Sequence, residues 1–217
     1  MIAVSSFKPN ATEEVKRNEF EALQSWATVF EEWVFSNDKP GFSDPPTIRS
    51  LAKLCATFPS WSCIINADII VHPELERIIS EIDAKGGCCA VSKRYEFYPD
   101  NPSFGPRLKD LGLDIFCGKP EVWQSVAANI PEELILGHIM WDTWMLAWLY
   151  EHFTRSFYDF TPSVAIFHPK HGGRGDQSMN RNLTSVEARY MRMPHLKITT
   201  RLPIWNPIRN FVTSATL

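Results

Sequence analysis

Ser62-Cys63-Ile64-Ile65-Asn66-Ala67-Asp68-Ile69-Ile70-Val71 is the stretch from which the fold is read. An apolar run this continuous predicts a central strand covered on both faces, and His72-Pro73 stops it. On its N-terminal side, residues 1–5 form a short apolar strand that ends in the turn-prone Ser5-Ser6-Phe7-Lys8-Pro9. Thr12-Glu13-Glu14 then opens an acidic-first helix running to about Val29. Residues 32–36 are a second strand, residues 41–46 a loop, and residues 47–57 have helical spacing with Ile48, Leu51, Leu54 and Cys55 on one face.

On the C-terminal side, residues 74–84 form an amphipathic helix that Gly86-Gly87 closes. Residues 88–92 are a strand, and the proline-rich residues 98–107 a loop. A short strand over 113–116, a helix over 119–128, a long helix or loop-to-helix segment over 134–153 and a last strand over 164–167 complete the order. Alternating strands and helices predict an α/β chain with a single, mostly parallel central sheet and helices on both faces.

The 217 residues with 44% hydrophobic content suit one domain. A formal charge of −3 implies no global preference for polyanions, yet the charge is unevenly placed. Arg181, Arg189, Arg192, Lys197, Arg201 and Arg209 stand against Glu187 alone, a net +5 that leaves −8 over residues 1–180. Five cysteines without a CxxC pair read as buried thiols of a reducing compartment. The N-terminal residues have no signal-peptide pattern, and the apolar residues 139–150 are interrupted by Asp142 and too short to span a bilayer. A cytoplasmic protein is expected.

Asn66 and Asp68 are polar side chains near the end of the central apolar run. Asp68 either caps a following turn or meets a basic side chain, or it is a metal ligand, since open α/β sheets gather ligands at the carboxyl ends of their strands. Asp114 lies between Leu113 and Ile115-Phe116, an unfavourable place for a merely solvated carboxylate. Asp142 either N-caps the helix that follows or acts as a general base. Phe167-His168-Pro169-Lys170-His171 sets two imidazoles and an ammonium after the last strand.

The order of Val4-Ser5-Ser6-Phe7, Phe35-Ser36-Asn37-Asp38, Arg49 with Lys53, and Asn66-Ala67-Asp68 resembles that of GT-A glycosyltransferases, Rossmann-like enzymes that use nucleotide-sugar donors. The resemblance covers residues 1 to about 175, leaving residues 176–217 as a basic extension. It implies that Ser5, Ser6 and Lys8 line the nucleotide pocket, with Asp38 near the base or ribose and Arg49 or Lys53 behind it. Asn66 stands where the family's Asp-x-Asp-like motif has its first acid, and Asp68 stands at the last acid, the usual metal ligand. Arg94 and Asp114 would hold the donor's hydroxyls or diphosphate, His168 would be a second ligand for Mn²⁺ or Mg²⁺, and Lys170 or His171 would touch the leaving diphosphate. Gly137-His138-Ile139-Met140-Trp141-Asp142 resembles the segment that delivers the base in inverting members.

The expected function is therefore transfer of a sugar, with a UDP-sugar favoured as donor. The acceptor would be a hydroxymethylated DNA base or a glycan, reached through the basic C-terminal segment. A rival is a non-catalytic nucleotide-sugar or nucleic-acid binding module on the same fold. A pyrophosphorylase is disfavoured because SSFKPN is not a glycine-rich basic loop, and dinucleotide enzymes because no GxGxxG occurs.

Overall fold

The computed structural model describes residues 1–8, 11–36, 46–99, 105–132, 134–136 and 141–170, with backbone alone at 109–112. The order is β1 (Ile2–Ser5), α1 (Glu13–Trp26), β2 (Glu32–Phe35), α2 (Ile48–Cys55), β3 (Ser62–Ile65), β4 (Ile70–Val71), α3 (Glu74–Ala84), β5 (Cys89–Phe97) and β6 (Arg107–Gly118). There follow α4 (Pro120–Asn129), α5 (Trp141–Phe153), β7 (Phe157–Asp159), a 3-10 turn (Thr161–Ser163) and β8 (Ile166–Pro169). The strands lie in the order β2-β1-β3-β6-β5-β8-β4, with β7 also on β5. Parallel pairings (β1–β2, β1–β3, β5–β7, β5–β8) outnumber antiparallel ones (β3–β6, β5–β6, β4–β8). This is a Rossmann-like α/β domain.

Register explains the two-sided core. Val4, Ile64, Phe116 and Val91 pair across β1, β3, β6 and β5, and all four pack against α2, α4 and α5. One residue along, Ala3, Cys63, Cys117 and Ala90 face the opposite way, toward α1 and α3. Strand side chains alternate faces, so a strand apolar at every position needs a helix layer on each side. Each large side chain fully buried this way contributes about 1.5–3 kcal/mol.

Local signals set the helix ends. The Thr12 hydroxyl accepts from the Val15 amide at 3.3 Å at the start of α1. At the end of α3 the amides of Gly86 and Gly87 donate to the carbonyls of Asp83 and Ile82, both at 2.9 Å, and Gly86 takes φ +80°, a left-handed cap open to glycine.

Several features depart from the sequence reading, β5 running to Phe97 rather than stopping at Ser92 among them. The run 62–71 is not one strand: the chain turns at Ala67-Asp68, where the Ile69 amide donates to the Asn66 carbonyl at 3.1 Å. Asn and Asp favour such turns, and the Trp26 indole N–H, donating 2.7 Å to the Ile69 carbonyl, ties down the far side. The short strand expected over 113–116 is part of the 12-residue β6, which inserts antiparallel between β3 and β5. The short β7 carries no sequence signal.

β7 and β8 occupy successive stretches of one edge of β5, joined through Val164 at φ +53°. At the joint, Asp159 accepts from the Thr161 amide and the Thr161 hydroxyl accepts from the Lys93 amide, each at 2.8 Å. Burial raises the Asp159 pKa, opposed by Thr161 and Lys93. A carboxyl whose folded pKa exceeds its unfolded value binds more protons when folded, so its contribution is present below the unfolded pKa and lost as pH rises through the folded one. Asp159→Asn keeps an acceptor for Thr161 and should flatten the fall in stability from about pH 3.8 upward. Urea midpoints across that range, parent against variant, check this.

Candidate functional site

The turn that interrupts the 62–71 run is also what assembles the site. Leaving β3, the chain passes Asn66 and Asp68 and joins the far edge of the curled sheet, where β4 pairs with β8. Asp68 Oδ2 thereby comes within 3.4 Å of His168 Nε2, both side chains being mostly buried.

Asp114 on β6 is the hub of the neighbouring polar network, with 4% of its surface exposed. Its Oδ1 accepts from the Asn66 amide group at 2.6 Å and its Oδ2 from Arg94 Nη1 at 2.6 Å. The backbone repeats the link, since the Asn66 N–H donates to the Asp114 carbonyl at 3.1 Å. Arg94 lies where the β5–β6 register shifts between Lys93 and Tyr95; a bulge re-aims side chains in this way. Burial opposes the Arg94 charge, but Asp114 and then Glu96 more than restore it, and its pKa is raised. Glu96 Oε1 sits 3.1 Å from Arg94 Nη2, and Glu96 is the register partner of His168. Lys170 donates to the Tyr98 hydroxyl at 3.2 Å, and this bond with Tyr98, then Glu96, raises its pKa.

Asp142 stands in the first turn of α5. Its Oδ1 accepts from the Thr143 amide at 2.9 Å and its Oδ2 from the Leu113 amide at 3.3 Å, which brings it beside the Asp114 backbone. Ser5 is buried and donates to the Ile65 carbonyl at 2.5 Å, while Ser6 donates to the Phe7 carbonyl at 3.1 Å. The Lys8 amide donates to Glu19 at 2.9 Å, and its side chain is exposed.

Arg49 turns its guanidinium to the Ile130 carbonyl and Glu132, capping the end of α4. Lys53 is exposed on α2. Asp38, His171 and the basic segment 181–217 lie outside the described residues.

The structure thus brings Asn66, Asp68, Arg94, Asp114, His168 and Lys170 into one cluster, with Asp142 on its β6 side. Glu96 escaped the sequence reading because β5 was expected to stop at Ser92. An aromatic stack also escaped it: Phe7 and Phe35, at the ends of β1 and β2, stack at 4.0 Å and 10°, and Trp26 continues the stack. Phe7 remains 37% exposed.

Among the described residues no three His, Cys, Asp or Glu side chains converge on one metal position. Asp68 and His168 are a pair at a spacing that suits adjacent ligands of one ion. Mg²⁺ or Mn²⁺ would draw on Asp68 as the hard oxygen ligand, with waters and substrate phosphates completing the octahedron, since the imidazole is the softer member of the pair.

No protein-family model and no curated protein matches the chain. Among solved structures it is similar to a glycosyltransferase involved in the glycosylation of the major capsid of PBCV-1, at 14% identity over 77% of this chain and 92% of that one, with a TM-score of 0.39. It is also similar to a protein assigned as a glucose-1-phosphate thymidylyltransferase from Bacillus anthracis, at 10% identity over 74% and 67% of the two chains, with a TM-score of 0.38. At TM-scores below 0.5, neither likeness assigns an activity to this chain.

Removing Arg94 would strand the Asp114 carboxylate in the interior. Arg94→Met should lower stability by about 3–5 kcal/mol, and Arg94→Lys should recover only part because it lacks the guanidinium fork. Urea unfolding followed by circular dichroism measures both; a loss under about 1 kcal/mol for the methionine variant would show that Asp114 does not depend on the pair.

Proposed function

We propose that this chain is a GT-A-type glycosyltransferase that moves a sugar from a nucleoside-diphosphate sugar, a UDP-sugar being favoured, to an acceptor hydroxyl. The observation that carries the reading is the convergence of Asn66, Asp68, Arg94, Asp114, His168 and Lys170 from β3, β5, β6 and β8 on one polar cluster, with Asp142 held against its edge. Ligands of open α/β sheets bind at such strand ends.

The residues divide by chemistry. Phe7, backed by Phe35, offers a flat apolar face for a nucleobase at the ends of β1 and β2. Asp114, held in orientation by Asn66 and Arg94, keeps lone pairs for sugar hydroxyls. Lys170, 46% exposed at its side chain, is the cation that can reach a leaving diphosphate. Asp68 and His168 would hold Mn²⁺ or Mg²⁺, which when bound offsets the charge that develops on the departing diphosphate. Asp142 takes the acceptor proton, and attack opposite the leaving group inverts the anomeric centre.

The acceptor that suits the basic stretch from Arg181 to Arg209 is a hydroxymethylated DNA base, with a glycan as the other choice. A cytoplasmic setting agrees with five cysteines that are all free thiols. Among the described residues no helix is long and apolar enough to cross a membrane.

One observation favours a second reading. Asp142 lies inside the first turn of α5, and its oxygens accept the Thr143 amide and the Leu113 amide of β6, so it already ties α5 to β6, a structural task that a non-catalytic binding module also needs.

Thermal unfolding against nucleoside diphosphates and nucleotide sugars, in Mn²⁺ and in EDTA, tests the proposal. A uridine diphosphate should raise the melting temperature in Mn²⁺ and not in EDTA, and Asp68→Ala or His168→Ala should abolish the difference. Asp142→Asn should keep the shift while transfer falls by about 10²–10⁴-fold. Donor binding with no transfer by the parent to any acceptor would favour a nucleotide-sugar binding module, and no shift with any donor would sink the transferase and favour a nucleic-acid binding module acting through the basic segment.

A further inference from the structure

Glu96 is the least expected member of the cluster. Its Oε1 lies 3.1 Å from Arg94 Nη2 and its Oε2 4.0 Å from Lys170 Nζ, and its side chain is only 13% exposed. The two fixed cations of the described cluster, Arg94 and Lys170, therefore share one internal carboxylate. Arg94 is committed twice, with Nη1 on Asp114 and Nη2 on Glu96. Lys170 is drawn the same way, held by the Tyr98 hydroxyl and lying 5.2 Å over its ring.

The charge balance follows from these contacts. Among the described residues of the cluster, four carboxylates (Asp68, Glu96, Asp114 and, at its edge, Asp142) stand against two fixed cations (Arg94, Lys170), with His168 adjoining. A cluster with no positive excess repels a diphosphate that arrives alone. Without Glu96 the cluster would be less negative by one unit charge, and one face of the Arg94 fork would lose its anionic partner.

We infer that Glu96 is the internal counter-anion of this site: it occupies Arg94 and Lys170 in place of a ligand's phosphates and makes diphosphate binding conditional on a divalent cation. The nucleotide identity of the ligand rests on the proposed function, whereas the electrostatic role needs only the diphosphate. Removing a unit charge a few ångström from a phosphate, across partly solvated space, should tighten binding about tenfold.

The test is calorimetric titration of the full chain with inorganic pyrophosphate and with UDP, each in EDTA and in Mn²⁺. In EDTA, Glu96→Gln should bind pyrophosphate about tenfold more tightly than the parent, and adding Lys170→Met should remove the gain. In Mn²⁺ the advantage conferred by the metal on UDP binding should shrink in the same variant. Glu96→Asp, which draws the carboxylate back from Lys170, should move pyrophosphate binding in the same direction by about twofold and serves if the glutamine variant does not fold. A folded Glu96→Gln whose pyrophosphate affinity in EDTA equals or falls below the parent's overturns the inference, leaving Glu96 as a brace for Arg94. UDP binding in Mn²⁺ without that gain would leave the donor reading standing and remove the role of Glu96. The gain with pyrophosphate, and no UDP binding in either buffer, would do the reverse.

Discussion

The Asp114 carboxylate, buried where β3, β5 and β6 meet, is the constraint around which the carboxyl end of the sheet is organised. One oxygen is taken by Asn66 and the other by Arg94, so a single side chain ties together two strands that are not neighbours. A buried charge is costly unless paired and hydrogen-bonded, and both requirements are met here by residues far apart in sequence. The geometry of Asn66, and with it the turn that carries Asp68 away from β3, is coupled to that pairing through two hydrogen bonds to Asp114.

Packing supplies the rigidity behind this polar end. The rows Val4–Ile64–Phe116–Val91 and Ala3–Cys63–Cys117–Ala90 cross the same strands on opposite faces and meet separate helix layers. Strands gripped from both sides present their ends at fixed spacing, which a constellation of charged groups needs if it is to be preorganised rather than assembled by a ligand. The curl that brings β4 round to β8 places Asp68 beside His168, and the Trp26–Ile69 hydrogen bond holds that return in place.

Much of the framework was legible in the residues. The alternation of strands and helices, the inward faces of α2 and α3, the Thr12 cap and the Gly86 stop all follow from period and local chemistry, which act over a few residues. The polar pair Asn66 and Asp68 announced a special position because buried polar groups in an apolar run need partners. Arg49 was harder: on a helix it could as well be solvated, a ligand contact or a cap, and only the approach of Ile130 and Glu132 assigns it to the end of α4.

By itself the sequence determined most of the element types, the apolar faces of the helices and the presence of an unusual polar end to a central apolar run. Tertiary structure alone decided that the run breaks, that β6 enters antiparallel between β3 and β5, and that Glu96 joins Arg94 and Lys170. The reason is range. Periodicity records which side of an element faces inward, whereas the choice of neighbour is a sum of packing and hydrogen bonding between residues as distant as Asn66 and Asp114, 48 positions apart, and no local pattern encodes that sum.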